Sequence, residues 1–290
     1  MLRANGDLLE VLALCFLLSA PHPEICASPT VSSCCHLVMC RVTSAIPNRL
    51  PRAAKYTLAQ LSNLLSVTAL LYDAWRVKSL SLLTGDDFKL EREFALMLEW
   101  LAVKPDQAFL DVGTSTGNYA RALTTGSAVV TAIDISKPML AQAQKLTTQP
   151  NISYEQVNVE ALPYADSSFD GVVVGASLNE FFDTRTALVE MARVLKPGGK
   201  LFMMYLRESD TGFGRFAQTA FKLSGIRFPN REVVAATLLE RGLERTRAEL
   251  RRAVTLELFV KTGRTSQTPL SPLERALSRT PGKPATEPLA

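Results

Sequence analysis

The residues best placed to do chemistry are an aspartate and two glycines that lie between a short apolar run and a helical pattern. Asp111 stands near the end of the apolar run that begins at Ala108, and Gly113 and Gly117 follow it. Glycine adopts positive φ without strain and lets a ligand approach the backbone. Apolar residues recur at helical spacing from Tyr119, so the turn lies before a helix whose free N–H groups and dipole favour a bound polar ligand.

Three kinds of ligand-binding turn compete for this stretch. A dinucleotide fingerprint, G-x-G-x-x-G, fails because Ser115 and Asn118 occupy two of its glycine positions. A phosphate-binding P-loop fails because Gly117 is not followed by Lys-Ser/Thr. The D-x-G-x-x-x-G turn that holds S-adenosylmethionine fits at Asp111, Gly113 and Gly117. An ordinary strand-turn-helix corner is the remaining alternative, so the rest of the chain has to decide.

A second acidic residue follows the next predicted strand. Residues 128–133 form a continuous apolar run, typical of a parallel strand buried on both faces, and the run ends at Asp134. An acidic side chain at this position can accept hydrogen bonds from two vicinal ribose hydroxyls. Ser136 and Pro138 then give the cap and first turn of a helix. This spacing favours a ribose site one strand beyond the glycine turn.

The later strands and turns continue the alternation of strand and helix. Strands are predicted at residues 152–157, 171–175 and 200–206, and a helix that starts at Thr184 is expected to stop at the Lys-Pro-Gly-Gly turn beginning at Lys196. A polar side chain at Asn158 could bond an adenine amino group. In an open parallel sheet, the loop that begins at Ala176 faces the ligand crevice.

Together these motifs resemble the class I S-adenosylmethionine-dependent methyltransferases, most closely the type 11 small-molecule group. The resemblance covers about residues 72–260. It is carried by Asp111-Val112-Gly113-x-x-x-Gly117, Asp134, Asn158-Val159-Glu160-Ala161-Leu162-Pro163, Ser168-Phe169-Asp170 and Arg193-Val194-Leu195-Lys196-Pro197-Gly198-Gly199. It implies an α/β fold with a Rossmann-like, doubly wound, seven-stranded and mostly parallel sheet, an antiparallel last strand and additional N-terminal helices. Strands six and seven are expected at residues 244–250 and 255–261.

The resemblance also implies which residues bind the cofactor, S-adenosylmethionine. These residues are Asp111, Gly113, Thr114, Gly117, Asp134, Ile135, Asn158, Val159 and Ala176. Two positions depart from the family pattern, since Ser115 replaces a common middle glycine and Asn158 replaces a frequent aspartate. Asparagine still accepts a hydrogen bond through its side-chain oxygen, so cofactor binding is expected to survive both changes.

Methyl transfer is an in-line displacement, so positioning and desolvation can supply much of the catalysis. A hydroxyl or phenol acceptor also needs a base. Since no histidine follows His36, that base would be a carboxylate or a tyrosine. Glu180 is the first candidate, ahead of Asp183 and Tyr205, and a solvated loop acid is an equally good interpretation of Glu180. Candidate substrate contacts are Tyr72, Asn179 and Tyr205.

The composition argues against several other kinds of catalytic and metal sites in the region after residue 40. The 290-residue chain has 5 cysteines and 2 histidines, and all of them lie within its first 40 residues. No cysteine nucleophile, disulfide or Cys/His zinc site is therefore expected in the predicted catalytic region. The net charge of +4 is too weak to argue for a nucleic-acid partner. No apolar run reaches the roughly 18 residues of a membrane span, although peripheral membrane contact remains compatible with the sequence.

The ends of the chain differ in composition from its middle. Residues 11–18 have the length of a signal-peptide core, and residues 26–55 contain arginine, serine and threonine but no acid. Residues 1–56 therefore predict a plastid-type targeting leader, with a mitochondrial or secretory address as alternatives. Residues 57–104 are expected to form a helical cover, residues 105–262 the methyltransferase domain, and the proline-rich residues 263–290 a disordered tail.

The leading hypothesis is S-adenosylmethionine-dependent methylation of a small molecule, of a quinone or other lipid-like class by family and compartment. The segment of residues 206–229, which mixes aromatic and basic side chains, is expected to shape the acceptor pocket. A methyltransferase-fold binding or assembly protein without turnover is the alternative. The sequence predicts no metal site and does not determine the oligomeric state.

Overall fold

The computed structural model of the chain describes residues 58–84, 88–223 and 225–262, so the predicted leader and tail lie outside the described residues. The helices in chain order are α1 (Leu58–Asn63), α2 (Ser66–Thr84), α3 (Leu90–Leu101), α4 (Asn118–Thr124), α5 (Lys137–Leu146), α6 (Thr184–Val194), α7 (Gly212–Leu223) and α8 (Arg231–Leu239). The strands are β1 (Ala108–Val112), β2 (Val129–Asp134), β3 (Ile152–Gln156), β4 (Phe169–Gly175), β5 (Leu195–Leu206), β6 (Leu243–Arg251) and β7 (Val254–Lys261). Short 3₁₀ helices span Val159–Ala161 and Ser177–Glu180.

The seven strands form one sheet in the order β3-β2-β1-β4-β5-β7-β6. The pairs β1–β2, β1–β4, β2–β3 and β4–β5 are parallel. Strand β7 is antiparallel to both β5 and β6. The predicted seven-stranded, mostly parallel sheet with a reversed end is therefore confirmed. The strand order reverses between β1 and β4, which is where a doubly wound sheet opens a ligand crevice.

The sheet is covered on both faces because successive side chains of its central strands point to opposite sides. In β5, Leu201 and Met203 belong to the core cluster that also contains residues of α6 and α8, such as Leu188. Phe202 and Met204 belong to the cluster formed with residues of α3 and α4. Burial on both faces explains why these strands read as continuous apolar runs rather than as alternating ones.

Strand β5 differs from its predicted start. It begins at Leu195, which pairs with Phe169, and the register then shifts so that Gly171 pairs with Lys200. The Lys-Pro-Gly-Gly segment is therefore an irregular part of the strand and not a turn before it. Gly198 supplies the positive φ, +76°, that this irregularity requires.

The two N-terminal helices are anchored to the loops at the carboxyl ends of β1 and β2. Asp73 of α2 accepts hydrogen bonds from Thr116 Oγ1 at 2.6 Å and Asn118 Nδ2 at 2.8 Å. Asn63 of α1 accepts a hydrogen bond at its backbone oxygen from the Ser136 hydroxyl. Within the described ranges, no helix combines the length and the apolar character that crossing a bilayer requires.

Candidate functional site

A cavity of about 440 Å³ lies at the carboxyl ends of the parallel strands, next to the reversal of strand order. Its size is that of a small-molecule site. Gly113, Asp134 and Ala176 line it from the loops that follow β1, β2 and β4, and Met204 lines it from β5. Strands β2 and β5 are separated by β1 and β4, so these walls stand about 14 Å apart at the usual strand spacing. The cavity is therefore elongated along the sheet edge.

Asp111 and Thr114 brace the glycine turn from below. The Asp111 carboxylate is 1% exposed, and its Oδ2 accepts hydrogen bonds from Thr114 Oγ1 at 2.6 Å and from the Ala120 N–H at 3.0 Å. Burial raises the pKa of Asp111 to about 7. Neither side chain is part of the cavity wall, so their expected cofactor contact becomes a positioning role for the turn and for the start of α4.

The two glycines of the turn have different neighbours. Gly113 lines the cavity at φ +65°, and a Cβ there would lie 2.4 Å from Cβ and Oγ of Ser177. Gly117 is the N-cap of α4 at φ +84°, and a Cβ there would lie 2.5 Å from the Tyr154 hydroxyl. Gly113 therefore lets the turn pack closely against Ser177 beside the cavity, whereas Gly117 lets α4 begin close to β3.

Asp134 presents its carboxylate to the cavity in a fixed orientation. Its Oδ2 accepts the Ser115 N–H at 2.9 Å and its Oδ1 accepts the Ser136 N–H at 2.8 Å. A carboxylate oxygen accepts more than one hydrogen bond, so both oxygens retain capacity for a ligand hydroxyl. Burial raises the pKa of Asp134. Ser115 has φ +50°, so the residue that replaces the family glycine still adopts the left-handed conformation of the turn, and its backbone N–H bonds Asp134. Ile135 lines the wall beside it.

The remaining predicted cofactor residues lie on the same wall. Asn158 lines the cavity, and its Oδ1 accepts the Glu160 N–H at 3.0 Å, so it also caps the 3₁₀ helix after β3. Val159 beside it is 5% exposed and presents an apolar surface. Ala176 takes φ +70° and donates its N–H to Met204 O at 2.7 Å, which bends the chain at the end of β4.

Glu180 and Tyr72 meet in the cavity wall from opposite sides. Glu180 Oε2 accepts a hydrogen bond from Asn63 Nδ2 at 2.6 Å. Burial, together with the nearby Asp134 charge, raises the pKa of Glu180 to about 7. Burial also raises the pKa of Tyr72, which bonds Ser115 and lies close to Glu180. A carboxyl group with a pKa near neutrality can exchange a proton with a ligand at ordinary pH.

The structure does not place Tyr205 at the site. Its neighbours Met204 and Leu206 line the cavity, and Tyr205 itself is 0% exposed and donates its hydroxyl to Glu257 at 2.7 Å. Adjacent residues of a strand point to opposite faces of the sheet, so Tyr205 belongs to the core on the other side. The expected substrate contact at Tyr205 is therefore replaced by contacts from its two neighbours.

The side chains of Asn179 and Asp183 form hydrogen bonds within the protein. Asn179 lines the cavity, but its Nδ2 donates to the carbonyls of Leu206 and Arg227, and its Oδ1 accepts the Leu206 N–H at 2.9 Å. Its amide therefore holds the wall together and offers no uncommitted donor to a substrate. Asp183 is exposed and caps α6 by accepting hydrogen bonds from Thr186. Neither residue matches the ligand-facing role considered for it.

Arg76 is a cavity residue that the sequence interpretation missed. It is 6% exposed, lines the cavity from α2, and forms an ion pair with Glu93 at 2.7 Å. Glu93 is 0% exposed and also accepts the hydroxyl of Tyr119. The feature of the sequence that indicates this role is a single arginine on the inner face of a mostly apolar helix. The buried Glu93 therefore holds the Arg76 guanidinium in a fixed position at the cavity wall.

Helix α7 and the segment after it close another part of the wall. Gln218 and Phe221 of α7, together with Ile226 and Phe228, line the cavity near Leu206. This agrees with the expectation that the insert after β5 shapes a pocket. Three of these four residues are apolar, and Arg207 and Ser209 add polar groups to the same end. Near Asp134 the carboxylate stands among apolar residues such as Ile135. The described residues contain no group of metal-ligating side chains.

Comparisons with known proteins point to one family. A family model described as a methyltransferase domain matches residues 110–203. The demethylmenaquinone methyltransferase of Alkalihalophilus pseudofirmus is 33% identical over 175 residues, which cover 50% of this chain and 73% of that protein. The 2-phytyl-1,4-naphtoquinone methyltransferase of Nostoc sp. is 32% identical over 133 residues, which cover 42% of this chain and 57% of that protein.

Other matches span a smaller part of each relative or show the fold alone. For several curated relatives, the chain covers only 40 to 54% of their length. The crystal structure of the [4+2]-cyclase SpnF superposes with a TM-score of 0.57 at 18% identity, covering 73% of this chain and 99% of that one. That similarity is evidence for the shared architecture and not for a shared reaction.

Proposed function

Because the chain belongs to the class I S-adenosylmethionine-dependent methyltransferases, we infer that it transfers a methyl group from S-adenosylmethionine to a flat, apolar acceptor of the quinol type. The observation that carries this proposal is the two-ended cavity. Its β2 end presents Asp134 and the glycine turn, and its β5 end presents the apolar residues Leu206, Phe221 and Phe228. The intact turn and the open cavity favour turnover over the non-catalytic alternative.

The β2 end of the cavity fits the cofactor. The orientation of Asp134 is fixed by two backbone N–H groups, so it can accept both ribose hydroxyls without rearrangement. Gly113 takes the positive φ that the turn needs beside the cavity, and the guanidinium of Arg76, held by Glu93, lies in the same wall. Asn158 and Val159 give one polar and one apolar contact for an adenine. These residues would hold S-adenosylmethionine.

The reaction requires little more than orientation, exclusion of water and management of one proton. S-adenosylmethionine supplies a methyl group on a positively charged sulfur and leaves as S-adenosylhomocysteine, while the acceptor gains the methyl group and releases a proton. Glu180 lines the cavity and has its pKa raised to about 7, so it is the proposed base for that proton. Tyr72 closes the wall beside it and limits the entry of water.

The acceptor class follows from the apolar end and from the relatives. Two relatives are named as methyltransferases of demethylmenaquinone and of 2-phytyl-1,4-naphtoquinone, which are quinones. Leu80 and Leu83 of α2 continue the apolar wall formed by Met204 and Leu206. A wall of this kind suits a naphthoquinol ring whose ring carbon receives the methyl group.

An acceptor panel with methyl-labelled S-adenosylmethionine tests this proposal. Polyprenyl naphthoquinol is expected to gain the label on a ring carbon, and a simple phenol of similar size is expected to remain unlabelled. Phe221→Ala should raise KM for the prenylated quinol roughly tenfold, since it removes a buried aromatic contact, without changing cofactor affinity. Leu239→Ala, a truncation on the exposed side of α8, is the matched control. Label on the phenol oxygen alone would contradict the quinol assignment.

We also infer that the protein is imported into a plastid. The apolar core of residues 11–18 and the acid-free, arginine- and serine-containing residues 26–55 support this address. Fluorescence of a fusion carrying residues 1–56 at its N-terminus should coincide with plastids in a plastid-bearing cell. Fluorescence in mitochondria or along the secretory route would contradict this address.

A further inference from the structure

The solvent-facing side of α2 is apolar. Val67, Leu70, Leu71 and Val77 are 57%, 65%, 59% and 53% exposed, and they recur at helical spacing along one side of the helix. The opposite side of α2 lines the cavity. A helix that is apolar on both sides is normally buried on both. The outer side of α2 therefore resembles an interaction surface more than an ordinary solvent face.

Helix α7 repeats this arrangement. Phe213, Phe216 and Leu223 are 51%, 76% and 82% exposed on its outer side, while Gln218 and Phe221 line the cavity from its inner side. Both helices line one cavity with their inner sides, so their outer sides point away from it. The outer apolar face is defined here as these three residues of α7 together with Val67, Leu70, Leu71 and Val77 of α2.

The exposed charges on these two helices are positive. Helix α7 contains Arg215 and Lys222 and no acidic residue. The Arg215 guanidinium donates to the backbone carbonyls of Ser209 and Asp210. Lys222 lies 3.9 Å from Glu208, and its side chain is 46% exposed to solvent.

Helix α2 has the same sign on its outer side. Lys78 is exposed there, whereas Asp73, the one acid of the helix, is turned inward and accepts a hydrogen bond from Thr116. Aromatic and aliphatic side chains flanked by cations are the composition of helices that rest on anionic bilayers.

We propose that the outer apolar face docks on an anionic lipid bilayer and that the acceptor enters the cavity between α2 and α7 from that bilayer. The entry of the acceptor rests on the proposed function, whereas docking does not. A second copy placed symmetrically on this face would bring the cations of one copy against those of the other. Residues 26–55 of the chain are also basic and acid-free, so they complement the face less well than anionic lipid does.

Vesicle binding by the full chain tests the docking. The vesicles contain phosphatidylcholine with about a quarter phosphatidylglycerol, and pure phosphatidylcholine vesicles are compared with them. Leu70→Asp and Phe216→Asp should each lower the partition coefficient about tenfold or more, because each places a charge where an apolar side chain would be buried. Val233→Asp is the matched control, since Val233 is 63% exposed on α8, and it should change the coefficient less than about twofold. Arg215→Gln should weaken the preference for anionic vesicles.

Cofactor affinity and molar mass, measured on the same samples, separate the outcomes. Unchanged S-adenosylmethionine affinity in Leu70→Asp and Phe216→Asp, with vesicle binding lost, supports docking. Equal vesicle binding by these variants and Val233→Asp overturns it. A wild-type dimer that the same two variants dissociate in the absence of lipid also overturns it, in favour of a second copy. Failure of the wild type to bind S-adenosylmethionine would contradict the proposed function and leave the vesicle result interpretable.

Discussion

Replacing Asp134 by alanine should weaken S-adenosylmethionine binding on the order of a hundredfold. The carboxylate lines the cavity and is oriented by the N–H groups of Ser115 and Ser136 at 2.9 and 2.8 Å. Its proposed partners are two ribose hydroxyls. A hydrogen bond to a charged group contributes about 1.5 kcal/mol or more, so losing two costs about 3 kcal/mol, which corresponds to roughly a 150-fold change in Kd. Asp134→Asn keeps an acceptor oxygen and the shape of the side chain, and should cost about tenfold.

Isothermal calorimetry of the full chain with S-adenosylmethionine measures this change directly. Thermal unfolding of each variant shows whether the fold survives, and Glu160→Ala serves as the control because Glu160 lines the same wall next to Asn158. An Asp134→Ala variant that remains folded and binds within about threefold of wild type would refute the ribose assignment, because one lost charge-assisted hydrogen bond alone exceeds that difference.

Four other substitutions have predicted effects. Gly113→Ala should lower the free energy of unfolding by about 2 kcal/mol or more, and Gly198→Ala by about 1 kcal/mol. Both glycines have positive φ, but only a Cβ at Gly113 would meet a side chain, at 2.4 Å. Equal losses of unfolding free energy in urea titration would contradict the clash at Gly113. Glu93→Gln should cost about 3 kcal/mol of stability by leaving the buried Arg76 charge without its counter-ion, and a loss below about 1 kcal/mol would show that solvent reaches the pair. Since the pKa of Glu180 is raised to about 7, its basic form accumulates as pH rises, so kcat/KM should increase between about pH 6 and 8 and Glu180→Gln should remove that increase. Because folding raises its pKa, protonated Glu180 stabilises the folded state. This contribution to stability is fully present below the unfolded-state pKa of 4.5 and is lost as pH rises through about 7.

The sheet could be predicted from the sequence because its parallel strands are buried on both faces. Strand β1 has its predicted bounds, and β2 and β3 differ by one residue at their ends. The start of β5 could not be predicted, since the Lys-Pro-Gly-Gly segment carries strong turn signals and its pairing with Phe169 is visible only in three dimensions. Long-range pairing overrode the local preference of these residues.

Burial of the strands on both faces of the sheet also limited the prediction of side-chain roles. Residues 201–206 are apolar without alternation, so the sequence does not tell which of them face the cavity, and Tyr205 was placed on the wrong side. The glycine turn and Asp134 could be predicted because their chemistry depends on local spacing. The ion pair of Arg76 with Glu93 could not, because it joins two helices whose relative position no local pattern specifies.

Transfer of labelled methyl from S-adenosylmethionine to polyprenyl naphthoquinol by the folded full chain tests the central claim most directly. The two-ended cavity predicts label on a ring carbon with wild-type protein, and far less label with Asp134→Ala at a cofactor concentration near the wild-type Kd. Wild-type protein that binds S-adenosylmethionine in calorimetry but transfers no label to the quinol would contradict the account.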